Sequence, residues 1–120
     1  MPENASTGRG PMNREYLASI TGDDRDFERE LTESFVTVSP SIIEQLRVAA
    51  ESADATAVRS AAHALKGSSR AIGADGLGAL CEDLEHRARD GDVTDAAKAV
   101  DGIAAAYAHV ESYIRDEWLS

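Results

Sequence analysis

Apolar residues recur every three to four positions along most of the chain after Asn13, which is the spacing of one buried helix face. No segment alternates apolar and polar residues in the manner of a half-buried strand. The apolar stripes are separated by links of only about two to four residues. Because such short links make neighbouring helices run antiparallel, the sequence predicts an all-α fold: an up-down antiparallel four-helix bundle with a short additional N-terminal helix.

Pro40 lies inside the longest apolar stripe of the N-terminal half. Before that stripe, the segment NREYLASI predicts a short helix that ends at Thr21 and Gly22. Because proline removes a helical hydrogen bond, the stripe predicts either two helices or one helix kinked at Pro40, with Ser39 or Ser41 capping the second part. The predicted core positions of this stripe are Phe27, Leu31, Phe35, Val38, Ile42 and Leu46.

Aspartates mark the beginnings of the helices in the second half of the chain. Asp54 is predicted to cap a helix that Gly73 ends in a left-handed conformation. Asp75 is predicted to cap the next helix, and Asp92 with Asp95 to start the last one. The predicted core positions of the last two helices are Leu77, Leu80, Cys81, Leu84, Ala88, Val93, Ala96, Val100, Ile103, Tyr107, Val110 and Ile114, with Trp118 packing the last helix onto the bundle.

Composition supports one helical domain preceded by a tail. Residues 1–11 combine Pro, Gly, Ser, Thr and Asn with almost nothing to bury, so they are predicted to be a disordered tail or linker, and residues 12–120 to form the bundle. The chain is 42% hydrophobic but only 5% aromatic, so its core must consist of Ala, Leu, Ile and Val. Such a core favours close-packed helices over a β-sandwich or barrel.

The charge of the chain excludes several classes of partner. Twelve Lys and Arg residues stand against 22 Asp and Glu residues, a formal net charge of −10. Because this charge repels phosphate backbones and anionic lipids, neither nucleic acid nor direct membrane contact is expected. The single cysteine, Cys81, excludes an internal disulfide and is predicted to be a small core residue. With no apolar run near the ~20 residues that span a bilayer and no signal peptide, a cytoplasmic protein is expected.

His63 lies on the polar side of its predicted helix, about 150° from the centre of the apolar side. The residue four positions later normally lies over a helical side chain, but here it is Gly67, which leaves the imidazole uncovered. Lys66 lies one turn away, and Arg59 and Arg70 add positive charge to the same face. This small basic area contrasts with the acidic character of the chain.

An exposed imidazole is a nucleophile near neutral pH. No carboxylate lies three or four positions from His63, and Ser60, the nearest serine upstream, is expected to point a different way. His86 and His109 lie on other helices without the spacing of a metal site, so no metal site is expected. What remains is a histidine that itself accepts a group whose charge Lys66 offsets, and a phosphoryl group fits best. A solvated helix face with a fortuitous glycine stays open as an alternative.

The run AHALKGSSRAIGADGLGALCEDLE, residues 62–85, closely resembles the signature of histidine-containing phosphotransfer (HPt) domains. The resemblance implies a four-helix bundle that presents His63 for phosphorylation, with Lys66 stabilising charge and Gly67 making space. Ser68, Ser69 and Arg70 are supporting residues in this interpretation. Glu85 falls where family members carry a polar residue that can orient the histidine ring, and whether it does so here is left open because glutamate and glutamine differ in what they donate.

The same resemblance implies the partners. Such domains relay phosphoryl groups between aspartates of response-regulator receiver domains in two-component phosphorelays, and the receiver supplies the Mg²⁺, so the chain needs no cofactor of its own. A hybrid sensor histidine kinase, in cis or in trans, is a further expected partner, and the chain is expected to be a monomer. The receiver is expected to dock on Leu17, Ile20, the face from Arg59 to Arg70 and the first turns of the helix that follows.

A helical bundle with an exposed histidine is also compatible with two other functions. In the phosphorylated bundle of a sensor kinase an acidic residue follows the histidine at once and a proline lies five positions on, whereas Ala64 and Ser68 stand there in this chain. No nucleotide-binding segment is present either, so a carrier without autokinase activity is predicted rather than an enzyme. The alternative from a different class is a non-catalytic helical adaptor that binds and regulates a partner protein, for which the Lys66–Gly67 pair has no purpose.

Overall fold

Five α-helices make up almost all of residues 10–120, the part of the chain that the computed structural model describes. They are α1 (Arg14–Thr21), α2 (Arg25–Glu51), α3 (Ala55–Ala71), α4 (Asp75–Arg89) and α5 (Ala96–Glu117). No strand occurs between residues 10 and 120. The predicted all-α fold with a short N-terminal helix is confirmed. The predicted tail falls mostly on residues 1–9, which lie outside the described residues.

The four long helices pack in a ring. Helix α3 packs against α2 and α4, and α5 packs against the same two helices from the other side, while α1 packs on α2. Short links at residues 22–24, 52–54, 72–74 and 90–95 connect successive helices. The core that they enclose is built mainly from Leu, Ile, Val and Ala, as the composition predicted.

Helix α2 continues without interruption through Pro40, so the predicted alternative of two separate helices is wrong. Pro40 has no N–H to donate to the carbonyl of Val36, four residues earlier. The hydroxyl of Tyr107 on α5 donates to that carbonyl instead, over 3.2 Å. Burial raises the pKa of Tyr107 to about 12, which keeps this donor protonated. Ser39 is a buried residue of the helix interior and caps nothing.

Three predicted core residues are exposed. Phe27 and Val38 on α2 and Leu80 on α4 have exposures of 42%, 48% and 44%. The buried face of α2 includes polar positions, among them Thr32, whose hydroxyl donates to the carbonyl of Glu28 over 2.9 Å. The positions of the apolar residues alone predict the wrong direction for the buried face of α2, because buried polar residues also belong to that face.

The helix ends follow the predicted signals in part. The Asp54 carboxylate accepts a hydrogen bond from the backbone N–H of Ala57 over 3.1 Å, which confirms the cap of α3. Gly73 has a φ of +82°, as predicted for the end of that helix. Asp75 is not a cap: the cap position of α4 is Ala74, and it makes no side-chain hydrogen bond. Asp95 occupies the cap position of α5 but likewise makes no such bond.

Trp118 packs the end of α5 onto the bundle, as predicted, at residues of α1 and α2. Its indole Nε1–H donates to the buried Glu28 carboxylate over 3.0 Å. The guanidinium groups of Arg14 and Arg25 lie 4.9 and 5.3 Å from the centroid of the indole ring, within the range of cation–π attraction. A buried carboxylate requires donors of this kind, so the tryptophan both fills space and satisfies Glu28.

Candidate functional site

His63 lies in the middle of α3 with 68% of its side chain exposed to solvent. The opposite side of the same helix faces the core through Val58, Ala62 and Leu65, all fully buried. Helical geometry therefore holds the imidazole outward, while its backbone is fixed by the packing behind it. His86 and His109 are exposed on α4 and α5 and take no part in the site.

Glu85 on α4 reaches the imidazole from the neighbouring helix. One of its carboxylate oxygens, Oε2, lies 2.9 Å from Nδ1 of His63, and the other, Oε1, lies 2.7 Å from Nζ of Lys66. The Glu85 side chain is only 3% exposed, and that of Lys66 is 18% exposed. A buried carboxylate, an ammonium group and the exposed histidine thus form one connected cluster across the α3–α4 interface.

The charge of Glu85 decides which nitrogen of His63 carries a proton. The hydrogen bond from the Lys66 ammonium, and next that from His63, lower the pKa of Glu85 to about 2 in spite of its burial. An ionised carboxylate only accepts hydrogen bonds, so Nδ1 of His63 must be the donor. The neutral imidazole therefore keeps its lone pair on Nε2, the nitrogen on the other edge of the ring.

Arg89 completes the cluster and was not predicted from the sequence. Its guanidinium lies 3.3 Å from Oε2 of Glu85, the oxygen that also binds His63. The spacing of four residues between Glu85 and Arg89 on one helix is a signal for such a pair. The position of the Arg89 guanidinium beside His63 depends on how α3 and α4 pack. The sequence alone does not predict that packing.

Gly67 lies one turn after His63 and leaves open space. A Cβ atom added at this position has no heavy atom within 4 Å. No contact inside this molecule therefore requires a glycine at this position, although a glycine costs ~1 kcal/mol relative to alanine inside a helix. The open space lies on the solvent side of the helix, where a partner protein has access to His63.

The three supporting residues lie apart from the cluster. The Ser68 and Ser69 hydroxyls donate to the carbonyls of Ala64 and Leu65 on their own helix, over 3.1 and 2.7 Å. Arg70 reaches across to α4, where it pairs with a carboxylate oxygen of Glu82 at 2.8 Å. The structure therefore brings together His63, Lys66 and Glu85 of the predicted site residues, and leaves the serines and Arg70 outside.

Arg70 contributes to the packing of α3 on α4. Its side chain passes over Gly78, where an added Cβ would lie 2.9 Å from the Arg70 Cγ. A side chain at this position would therefore push the arginine away from Glu82. The pair lies on the C-terminal side of α3, away from the carboxylate that binds His63.

The sequence profile of the Hpt domain family matches residues 30–113. This chain belongs to the Hpt domain family. Hpt domains carry phosphoryl groups on histidine in phosphorelays and pass them to response-regulator receiver domains, so this chain is a phosphotransfer module.

A solved structure agrees with this assignment. The crystal structure of histidine-containing phosphotransfer protein B from Pseudomonas aeruginosa is similar to the Hpt domain described above, with a TM-score of 0.85 and 29% sequence identity. The likeness covers 91% of this chain and 95% of that one, so it extends over the whole bundle. Among curated proteins, none is similar enough to this chain to count as a match.

One residue that was predicted to lie on the docking surface of this Hpt domain does not lie at the surface. Leu17 is fully buried beneath α1, so its prediction as a docking residue is wrong. Ile20, on the same short helix, is 45% exposed. Leu17 lies at the centre of the side of α1 that packs against the bundle, whereas Ile20, about 60° away around the helix, lies at the edge of that side and is partly exposed.

Three further properties of the Hpt domain concern metal binding, its cysteine and the length of its helices. Within residues 10–120, no group of three or more His, Cys, Asp or Glu side chains is arranged to hold a metal ion. Cys81 is fully buried, and burial raises the pKa of its thiol to about 12, so it is an unreactive core residue as predicted. None of the described helices is both long and apolar enough to cross a bilayer.

Proposed function

We propose that His63 is the phosphoacceptor of this Hpt domain and that Nε2 is the atom that carries the phosphoryl group. The observation that supports this most directly is the hydrogen bond from Nδ1 to the ionised Glu85. Because that bond fixes the proton on Nδ1, the reactive lone pair lies on Nε2 at the exposed edge of the ring. No rearrangement of protons is then needed before attack.

The transfer step follows from this arrangement. The Nε2 lone pair forms a bond to the phosphorus of a receiver's aspartyl phosphate, and the bond between phosphorus and the aspartate oxygen breaks, with its electrons returning to the aspartate carboxylate. Nδ1 keeps its proton, so the phosphorylated ring carries a positive charge beside the Glu85 carboxylate. Donation to a second receiver is the reverse of the same step.

Lys66 and Glu85 support His63 as a pair in this proposal. Lys66 keeps Glu85 ionised through its 2.7 Å contact, and its ammonium group also lies one turn from the ring, where it offsets the charge of a bound phosphoryl group. Glu85 orients the ring and stabilises the cationic product. Glu85 thereby receives, within this proposal, the orienting role that the family resemblance left open.

Gly67 provides access for the receiver in the same proposal. Open space at its Cβ position lets the receiver's active site approach the Nε2 edge of the ring. The module needs no cofactor of its own, because the receiver brings the Mg²⁺ that its aspartyl phosphate requires. We further propose that it acts as a monomer in the cytoplasm and lacks autokinase activity, and that a hybrid sensor kinase is its upstream source of phosphoryl groups.

Labelling of purified protein by a radioactively phosphorylated receiver domain tests the proposal. We expect acid-labile, base-stable label on the wild type and none on His63→Gln. His109→Gln is the matched control, because His109 is also an exposed helical histidine but lies on α5. Label that persists on His63→Gln would show that another residue is the phosphoacceptor.

A further inference from the structure

A groove of about 370 Å³ lies beside His63, on the side opposite Gly67. Thr56, Arg59 and Ser60 of α3 line it together with His63 itself, and Glu85 and Arg89 of α4 form its other wall. Because helical side chains lean toward the N-terminus of their helix, the imidazole of His63 leans over this groove.

Arg59 is an exposed guanidinium without a partner in this groove. It makes no ion pair and no side-chain hydrogen bond within residues 10–120, whereas Lys66 and Arg70 on the same helix are both paired with glutamates. The hydroxyls of Thr56 and Ser60 also have no hydrogen-bond partner in the described part of the chain. Unused donors are therefore concentrated in one place.

The groove is positively charged although the chain is strongly acidic. Among the described residues, Glu85 is the sole acidic one that lines it, and the carboxylate is already shared by Lys66, His63 and Arg89. Arg59 and the free part of the Arg89 guanidinium then remain available, on a chain whose net charge is −10. Such a set of donors and cations suits an anionic group.

The phosphoryl group itself is not the ligand that this geometry favours. Glu85 lies in the wall of the groove and holds Nδ1, so Nε2 lies on the other edge of the ring and a phosphoryl group on it extends outward. The groove is thus adjacent to the reacting atom.

We propose that this groove binds an aspartate or glutamate side chain of the docking receiver domain, with Arg59 as its main charge, and that it selects among receivers. The inference rests on the proposed function, since it takes the receiver as the partner. A receiver with an acidic side chain at this position gains an ion pair, and a receiver with a basic one meets repulsion from both arginines.

The test compares two phosphoryl donors. One is phosphoramidate, which is too small to use a docking surface. The other is the receiver domain that transfers fastest to the wild type among a panel of purified receivers phosphorylated with acetyl phosphate. For Arg59→Ala we expect kcat/KM of receiver transfer to fall about three- to tenfold, mainly through KM, and Arg59→Glu to lose more. The rate of labelling by phosphoramidate is expected to fall much less.

Salt and a matched variant distinguish a local contact of Arg59 from the effect of the electrostatic field of the whole protein. The deficit of Arg59→Ala is expected to shrink as ionic strength rises to about 0.5 M, because salt screens exposed charges. Arg29→Ala removes an exposed arginine that forms no ion pair with any other residue from 10 to 120 and lies on α2, outside the groove, and it is expected to retain receiver transfer.

Four results overturn the inference, the last of them together with the proposed function. An equal loss with phosphoramidate would mean that Arg59 acts on the phosphoryl group or on the fold, and an equal loss in Arg29→Ala would mean that only net charge matters. Unchanged receiver transfer in Arg59→Glu would show that no acidic group binds there. If neither donor labels His63 in the wild type, the proposed function fails, and this inference fails with it.

Discussion

The carboxylate of Glu85 connects His63 to Lys66: its two oxygens lie 2.9 Å from Nδ1 of the histidine and 2.7 Å from Nζ of the lysine. The lysine thus acts on the histidine through a buried anion as well as directly. Replacing Lys66 affects both the charge near the phosphoryl group and the ionisation of Glu85. The two effects are separated by changing Glu85 alone.

Glu85→Gln is expected to slow phosphoryl transfer to His63 by about tenfold, equivalent to ~1.4 kcal/mol of transition-state stabilisation. The amide oxygen still accepts the Nδ1–H bond, but it carries no charge to stabilise the cationic phosphorylated ring. Single-turnover kinetics with a phosphorylated receiver measures the rate, and ¹⁵N NMR of the ring reports the tautomer. Glu82→Gln is the control, because Glu82 pairs with Arg70 outside the cluster. An unchanged rate would remove Glu85 from the mechanism.

Acid is expected to remove the stabilising contribution of Glu85. Its pKa in the folded protein is about 2, below the ordinary value of 4.5, so the ionised form stabilises the fold. A lowered pKa gives a contribution that is fully present above the unfolded pKa and is lost as pH falls toward the folded one. In urea unfolding, the stability difference between wild type and Glu85→Gln should decrease as pH falls below about 5. A difference that grows in acid would contradict this assignment.

Gly67→Ala is expected to raise the free energy of unfolding by ~1 kcal/mol, because alanine is the better helix former and its Cβ meets no neighbour. Gly67→Leu should retain the fold but lower receiver transfer strongly, while phosphoramidate still labels His63. Thermal unfolding gives the stability, and the two donors distinguish access from nucleophilicity. Full receiver transfer by Gly67→Leu would show that the clearance has no role.

Tyr107→Phe is expected to lower the free energy of unfolding by ~1 kcal/mol, because the Val36 carbonyl loses its donor. In a Pro40→Ala background, the new backbone N–H at residue 40 takes over that carbonyl, so the same tyrosine substitution should cost much less. A double-mutant cycle by chemical denaturation measures this coupling. Additive effects would mean that the Tyr107 hydroxyl does not replace the bond that Pro40 lacks.

The sequence predicts local features of this fold well. The outward direction of His63, the Asp54 cap and the left-handed Gly73 each depend on residues within a few positions. The continuity of α2 through Pro40 was not predictable in this way, because the compensating hydroxyl of Tyr107 comes from a distant part of the chain.

The candidate site likewise combines local features that the sequence predicts with features that depend on distant residues. The sequence indicates the histidine, lysine and glycine because all three lie on one helix. It does not indicate that Lys66 binds Glu85, or that Arg59 and Arg89 lie on either side of one groove, because these relationships are set by the packing of α3 on α4. The prediction of which residues are buried fails for a related reason. The rotation of each helix about its own axis is fixed by the helices that pack against it.

The contact between Trp118 and Glu28 has a consequence for folding. It joins residues 90 positions apart, whereas His63 and Glu85 are separated by only 22. Because the entropy lost in closing a loop grows with the logarithm of its length, the longer closure costs ~1 kcal/mol more. The hairpin of α3 and α4, which bears His63, thus loses less entropy when it forms, and the contact between α2 and the end of α5 completes the cooperative unit.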